Sequence, residues 1–420
     1  MLSLLFAQKN GQLSDVPELQ MAARLGDELV MPEAEELIPL PEGATLTMVP
    51  GRFPIGMDKK GHLVPVKHHP YIGKKEEVYA VAALLPQGFT RTLLPAIASG
   101  HGGKPLPLLG YTAVGMDEEG NFWVAAKQTD TYDLWHPNVY NTPDLERLVI
   151  KKKQQFPGNR LICQLGKCAL EYGCFTAQNM FYERWEAGLP VSPKCNANCI
   201  GCISLQPSEC CPSPQSRIDF IPEVAEVALP AIAHLQKNEK NIVSFGQGCE
   251  GEPSLSYPVI AQVIKEIRKV TKQGTINMNT NCGHKEAIHT IVDAGIDTMR
   301  ISLFSADKKN YSAYHCPNGY DVDTVRANAK YAHQQGVILS MNLLCYPGFT
   351  DREEELEKII DFVRDTGISL IQMRNLNIDP DMISQRFPGA TGLGVLPMLH
   401  ILAEELPQVR IGNFSRPKEK

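Results

Sequence analysis

From about residue 190, short apolar stretches alternate with longer segments whose apolar positions recur at helical spacing. NIVSFG (241–246), TINMNT (275–280), TMRISL (298–303), VILSMNLLC (337–345) and LIQMRNLN (370–377) have the length and composition of buried strands. After the first of these, Val259, Val263, Ile264, Ile267 and Val270 fall on one face of a helix. Gly295, Gly336 and Gly367 each precede a strand, where a left-handed residue ends a helix. TDRE (350–353) predicts a capping box, with Thr350 as N-cap and Glu353 three residues on.

Regular alternation of strand and helix predicts a parallel sheet with crossover helices. Closure is decided by length. A complete eight-unit barrel takes roughly 250 residues, so six units need about 190. Residues 191 to 377 number 187. With a short first strand at PVSP (190–193), the expectation is an α/β fold, a partial (β/α)6 TIM-like barrel over residues 187–385. In such barrels chemistry sits where strands run into the following loops.

The first 150 residues follow a different pattern. IGMDKKGHLVPV (55–66) and VGMDEEGNFWVA (114–125) share apolar-Gly-Met-Asp-x-x-Gly followed by an extended run. Each predicts a hairpin turned at Asp58 to Gly61 or Asp117 to Gly120, and together they suggest a duplicated unit or two independent hairpins. The expected organisation is an N-terminal β-containing accessory domain (1–150), a Cys-containing connector (151–186), the barrel, and a C-terminal extension (386–420).

Composition changes this picture little. The chain has 420 residues, 43% hydrophobic and 21% charged, which is ordinary for a globular protein. A net charge of −6 gives no general attraction for nucleic acid or anionic membrane. The apolar start MLSLLFAQ is too short for a signal peptide, and no run approaches the roughly 18 apolar residues of a membrane span, so a cytoplasmic protein is expected. Twelve cysteines in a reducing compartment point to metal or redox chemistry rather than to disulfides.

KCNANCIGC (194–202) groups Cys195, Cys199 and Cys202 where the first strand meets its loop. Cubane clusters commonly take four thiolates. Three in one loop mean either a distant fourth ligand or one metal position open to a small molecule, as in catalytic zinc sites. The small residues between them let the loop wrap closely round a cluster. FGQGCEGEP (245–253) ends the second strand with a glycine-rich turn carrying Glu252, a carboxylate suited to the amino end of an amino-acid-like ligand.

In these features the sequence resembles the radical S-adenosylmethionine (SAM) enzyme superfamily: C-x3-C-x2-C after the first strand, Gly251-Glu252-Pro253 after the second, and a six-unit partial barrel over roughly 185–380. The resemblance implies a [4Fe–4S] cluster on Cys195, Cys199 and Cys202 whose fourth iron chelates the amino and carboxylate groups of SAM. Reduction would then cleave SAM to methionine and a 5′-deoxyadenosyl radical that abstracts a substrate hydrogen. It further implies anaerobic chemistry and a flavodoxin- or ferredoxin-type electron donor. Glu252, with Gly251 beside it in the motif, maps to the SAM amino-group contact, Gly251 being a cofactor-binding candidate, and Arg300 and Ser302 map to positions touching its carboxylate or ribose. Asn279, Asn342 and Asn375, at strand ends, complete the expected cofactor-binding set. The family often has an aromatic residue just before the third cysteine, and here that residue is Gly201. CYPGFTD (345–351) resembles the proline-glycine turn closing strand five in activases, and as a βα turn it would also start a helix.

Cys163, Cys168 and Cys174, with Cys210 or Cys211, are candidates for a second iron–sulfur cluster, for zinc, or for buried free thiols. Cys249, inside the glycine-rich turn, is a candidate radical relay, whereas Cys282 and Cys345 are expected as small buried hydrophobes. Asn277, Asn279 and Asn281 share one strand face, with Asn277 expected in an internal hydrogen-bond network. His284, His315 and His333 are expected at the surface or as caps, and RPKEK as a solvated tail. A small polar molecule, a peptide or a protein side chain all fit as substrate. The rival reading is a non-catalytic electron-transfer or zinc-binding protein in which a fourth ligand such as Cys210 closes the centre.

Overall fold

A computed structural model describes residues 2–72, 76–100, 110–131, 133–206 and 213–419. Contacts divide the chain into two compact units, neither of them continuous in sequence. The first gathers Met1–Thr131, Cys345–Glu357 and Arg374–Glu405; the second gathers Tyr132–Leu344, Lys358–Met373 and Leu406–Lys420. Packing rather than chain order thus sets the division, since short returning segments lie with the front of the chain.

The first unit is mainly antiparallel β, with helices Pro380–Arg386 and Val395–Glu405 in its returning segments. Both predicted hairpins form, pairing Arg52–Met57 with Leu63–Pro65 and Val114–Met116 with Phe122–Gln128. Their turns are built alike: Asp58 Oδ1 accepts from the amides of Lys60 and His62, and Asp117 Oδ1 from those of Glu119 and Asn121. An aspartate caps its own turn in each. The returning segments are tied in by buried polar contacts. Arg52 forms an ion pair with Asp379 at 2.7 Å, both almost fully buried, and the Gly26 amide donates to Pro347 O at 3.2 Å. Gly348 has φ +88°, and a Cβ there would stand 2.0 Å from the Gly26 nitrogen, so backbone contact requires glycine in this turn. Thr350 does not cap the following helix. Its hydroxyl is turned to the Tyr346 backbone, from whose amide it accepts at 2.9 Å, and the helix begins at Glu353.

The second unit holds, except for Cys345, Arg374 and Asn375, a seven-stranded sheet in sequential order: β1 (Glu186–Gly188), β2 (Ile242–Phe245), β3 (Thr275–Thr280), β4 (Thr298–Leu303), β5 (Ile338–Cys345), β6 (Leu370–Asn375) and β7 (Arg410–Gly412). The described pairings are all parallel. Helices α1 (Val224–Leu235), α2 (Tyr257–Val270), α3 (Lys285–Asp293), α4 (Lys308–His315), α5 (Val322–Gln334) and α6 (Glu353–Thr366) form the crossovers. Gly295, Gly336 and Gly367 have φ of +94°, +84° and +73°, as their places before strands require. Strand one lies a few residues earlier than PVSP, because Pro190 has no amide to continue pairing beyond the bond from Leu189 to Ser244 O. β7 was not foreseen: three residues carry too little pattern to show.

β1 and β7 are the two edges, so the sheet is an open, partial barrel. Its curl is visible in one contact. β1 and β4 would lie about 14 Å apart in a flat sheet, yet Arg300 of β4 reaches Glu186 of β1 at 3.4 Å, with both residues buried. Ser415, just past β7, donates to Glu186 and accepts from Arg300. One triad, its two charged members buried, therefore crosses the interior and joins both edges. The C-terminal tail, expected to be solvated, runs against the sheet: Lys418 donates its amide to Thr275 Oγ1 at 2.8 Å and its ammonium reaches Asp297 at 3.2 Å. Among the described residues no helix is long and apolar enough to cross a membrane.

Removing one member of the triad strands the other's buried charge. Arg300→Met should lower unfolding stability by about 3–5 kcal/mol, and the double replacement Glu186→Leu/Arg300→Met should recover most of it. Urea unfolding followed by circular dichroism measures both.

Candidate functional site

The loop after β1 carries Cys195, Cys199 and Cys202, and two backbone bonds bind it to the turn after β2. Gly251 donates its amide to Ser192 O at 2.7 Å and Glu252 donates to Lys194 O at 2.8 Å. A Cβ on Gly251 would stand 2.0 Å from Lys194 O, so the closeness of the two chains explains the glycine. From the other side, Asn198 donates to His315 O, Ile200 to Tyr314 O and Asn318 to Asn196 O, and Ala197 bridges Pro317. The cysteine loop is thus held between the β2 turn and the C-terminal end of α4.

Two buried carboxylates knot the turn. Glu250 accepts from the amides of Val191 (2.8 Å) and Ser192 (3.0 Å) with one oxygen and from Gly246 with the other. Burial nevertheless pushes its pKa up to about 8. Glu252 accepts from Thr280 Oγ1, from Ser254 N at 3.1 Å and from Asn281 N at 2.8 Å. Burial raises its pKa too, and among the described residues no Lys or Arg pairs with it. A carboxylate oriented by three donors and lacking a cation is a receptor for one.

The thiols themselves are partly accessible, Cys195 the most. Burial raises the pKa of Cys195 and Cys199, and Cys199 is raised further by the nearby Cys202 and Cys195 thiols. Such thiols gain their charged form when a metal supplies the compensating charge. Among the described residues no three His, Cys, Asp or Glu side chains converge on a point suited to a single metal ion. Thiolates are the soft donors that hold iron–sulfur clusters.

The other expected site residues are distributed unevenly. Asn281 donates to Asn196 Oδ1 at 2.6 Å, linking β3 to the cysteine loop. Asn277 joins Ser244, Asn279 and Thr298 in the expected internal network, and Asn279 donates to Gly246 O at 3.0 Å. Ser302 and Asn342 are register partners across β4 and β5, both half-buried. Arg300 is engaged by Glu186 and Ser415 and lines a cavity of about 390 Å³ whose polar side includes Asn277, Thr298, Ser340 and Gln372. Asn375 lies in the first unit, where its amide group accepts from Arg91 N and donates to Phe89 O, both at 3.0 Å.

Cys249 meets Cys168, both buried, and the half-buried Cys174 lies near both. Cys163 is exposed, and Cys210 and Cys211 fall outside the described residues. Cys282 and Cys345 are fully buried. His284 caps α3, its Nδ1 accepting from the Ala287 amide at 3.2 Å. His315, expected at the surface, is instead buried, and burial holds its pKa down at about 3. Its role, and that of Glu250, left no trace in spacing: each acts on residues distant in sequence.

The sequence model of the Radical SAM superfamily matches residues 189–363, the span from β1's end into α6. This segment belongs to the radical SAM superfamily. Its members use a [4Fe–4S] cluster and SAM. An uncharacterized protein, MJ0103, of Methanocaldococcus jannaschii is 25% identical over 183 residues, covering 41% of this chain and 39% of that relative. Solved structures similar to the chain include methylornithine synthase (PylB), 13% identical with a TM-score of 0.38, covering 68% of this chain and 75% of that one. Streptococcus suis SuiB bound to precursor peptide SuiA is 13% identical with a TM-score of 0.37, covering 73% and 70%. The hydrogenase maturase HydG from Carboxydothermus hydrogenoformans is 13% identical with a TM-score of 0.39, covering 64% and 70%.

Two outcomes test the geometry of this radical SAM domain. Gly251→Ala should push the cysteine loop from the β2 turn, so backbone hydrogen exchange at Asn198 and Ile200 should quicken by at least about tenfold, equivalent to 1.4 kcal/mol. Glu250 binds its proton more tightly folded than unfolded, so its contribution to stability is present below about pH 4.5 and is lost as pH rises towards 8. Urea midpoints across that window should fall with pH, and Glu250→Gln should flatten the slope.

Proposed function

We propose that the chain is an enzyme that cleaves SAM reductively, with Cys195, Cys199 and Cys202 holding a [4Fe–4S] cluster whose remaining iron takes the nucleotide. The observation that carries this reading is the pairing of a three-thiol loop with Glu252, a buried carboxylate that has three donors and no described cation beside it. When bound, the cluster and SAM supply a 5′-deoxyadenosyl radical able to abstract hydrogen.

The chain's own residues bind, orient and exclude. Glu252 receives the ammonium of SAM on the lone pair its three donors leave open, which offsets the carboxylate's desolvation. Thr280, Ser254 and Asn281 fix its direction, and Gly251 brings its backbone within reach of the cluster loop. Asn196, gripped by Asn281, holds the loop's outer arm. Burial of the turn keeps water from the reacting groups. The substrate is a small polar molecule, a peptide or a protein side chain, and a soluble low-potential donor of the flavodoxin or ferredoxin type delivers the electron.

Cys316 favours a second reading. Its thiol lies near enough to Cys199 to raise that residue's pKa, and as a fourth ligand it would close the centre to SAM. Its Sγ points to Ala313 O of its own helix at 3.7 Å, away from such a role.

Anaerobic reconstitution separates the two. The protein should bind about four irons per chain and, with dithionite, convert SAM to 5′-deoxyadenosine and methionine. Cys199→Ala should abolish both, Cys316→Ala should leave both intact, and Glu252→Gln should weaken SAM binding by about tenfold or more, the loss of one charge-assisted contact. A loaded cluster whose EPR spectrum ignores added SAM in the wild type but responds in Cys316→Ala would establish the closed centre instead.

A further inference from the structure

His315 stands at the C-terminal end of α4, 116 residues from Cys199, and only 2% of its surface is exposed. Its Nε2 lies 3.2 Å from the backbone nitrogen of Phe304. A main-chain N–H can only donate, so Nε2 must accept and the ring proton resides on Nδ1. That nitrogen is 3.4 Å from Cys199 Sγ, within hydrogen-bonding range of sulfur. The ring cannot readily turn away: it packs against Tyr311 and Tyr314 at centroid distances of 4.5 and 4.9 Å. Its own carbonyl also receives the Asn198 amide from the cysteine loop. Geometry therefore fixes both the tautomer and the direction of the donor.

We propose that His315 is a positioning residue that donates Nδ1–H to the Cys199 thiolate and thereby raises the reduction potential of the cluster. This rests on the reading of Cys195, Cys199 and Cys202 as cluster ligands. Reduction adds negative charge that is shared with the ligating sulfurs, and a fixed N–H dipole aimed at one of them in a dry surrounding stabilises the reduced form more than the oxidised. Arg217 adds a weaker contact of the same kind: its guanidinium approaches Cys202 Sγ at 3.9 Å while its Nε donates to Ser204 Oγ at 2.9 Å. Two of the three thiols thus receive N–H groups from outside the loop, with His315 the closer and more rigid donor.

The test uses the full chain, reconstituted without oxygen, as wild type, His315→Leu and His315→Asn. Iron content, the midpoint potential from EPR-monitored titration without SAM, and exchangeable-deuteron couplings of the reduced cluster in D2O are measured. The Leu variant is expected to keep its iron, to lose one strong deuteron coupling and to titrate at a lower potential. The Asn variant, which restores an N–H near the Nδ1 position, should recover part of the shift. An unchanged potential and coupling in an iron-loaded Leu variant overturns the proposal and leaves the cluster reading standing. A wild type that binds no four-iron centre, or a centre that survives Cys199→Ala, overturns both. Should His315→Leu fail to fold, the wild-type spectrum decides: absence of any strong exchangeable coupling overturns the proposal, and a coupling altered in His315→Asn supports it.

Discussion

Close approach of two βα loops is the constraint on which the candidate site depends. The turn after β2 lies against the cysteine loop at backbone distance, because Gly251 has no Cβ to hold them apart and donates directly to Ser192 O. Buried amides in such a contact need acceptors, and Glu250 supplies them for Val191, Ser192 and Gly246. Glu252 performs the same service for Ser254 and Asn281 while keeping part of its carboxylate uncommitted. Structure and binding chemistry are therefore carried by adjacent acids with different tasks. Glu250 accepts the buried amides of the turn, and Glu252 keeps a lone pair for the cation proposed to bind there.

The barrel beneath supplies rigidity by a comparable device. Glu186, Arg300 and Ser415 link an edge strand, a central strand and the segment after the opposite edge. An open sheet has no hydrogen bonds across its seam, so side chains must hold its curvature. Charge in the interior is tolerated because each group finds a partner. With the tail drawn in by Lys418, the end of the sheet remote from the cysteine loop is covered by the chain itself. The opposite end is left for loops, which is where the cysteines and the glycine-rich turn lie.

Local pattern made much of this legible. TINMNT and TMRISL coincide with β3 and β4, since Ile276, Met278, Met299, Ile301 and Leu303 alternate with polar residues at the two-residue period of a strand. Gly295, Gly336 and Gly367 were readable because only glycine takes the left-handed cap without strain. Three thiols within eight residues were visible because ligands drawn from a single loop, as proposed for the cluster, must lie close in sequence. Thr350 misled: the capping pattern was present, but its hydroxyl found a nearer partner in Tyr346 and the helix began later.

The sequence by itself determined the alternating parallel architecture, an open barrel rather than a closed one, and the superfamily of residues 189–363, because each is encoded in periodicity or in short spacings. Tertiary structure alone decided that His315 lies beside Cys199, that Glu186 meets Arg300, that Cys249 joins Cys168, and that segments near residues 350 and 380 pack with the front of the chain. These are contacts between residues tens to hundreds of positions apart, and only the path of the folded backbone brings them together.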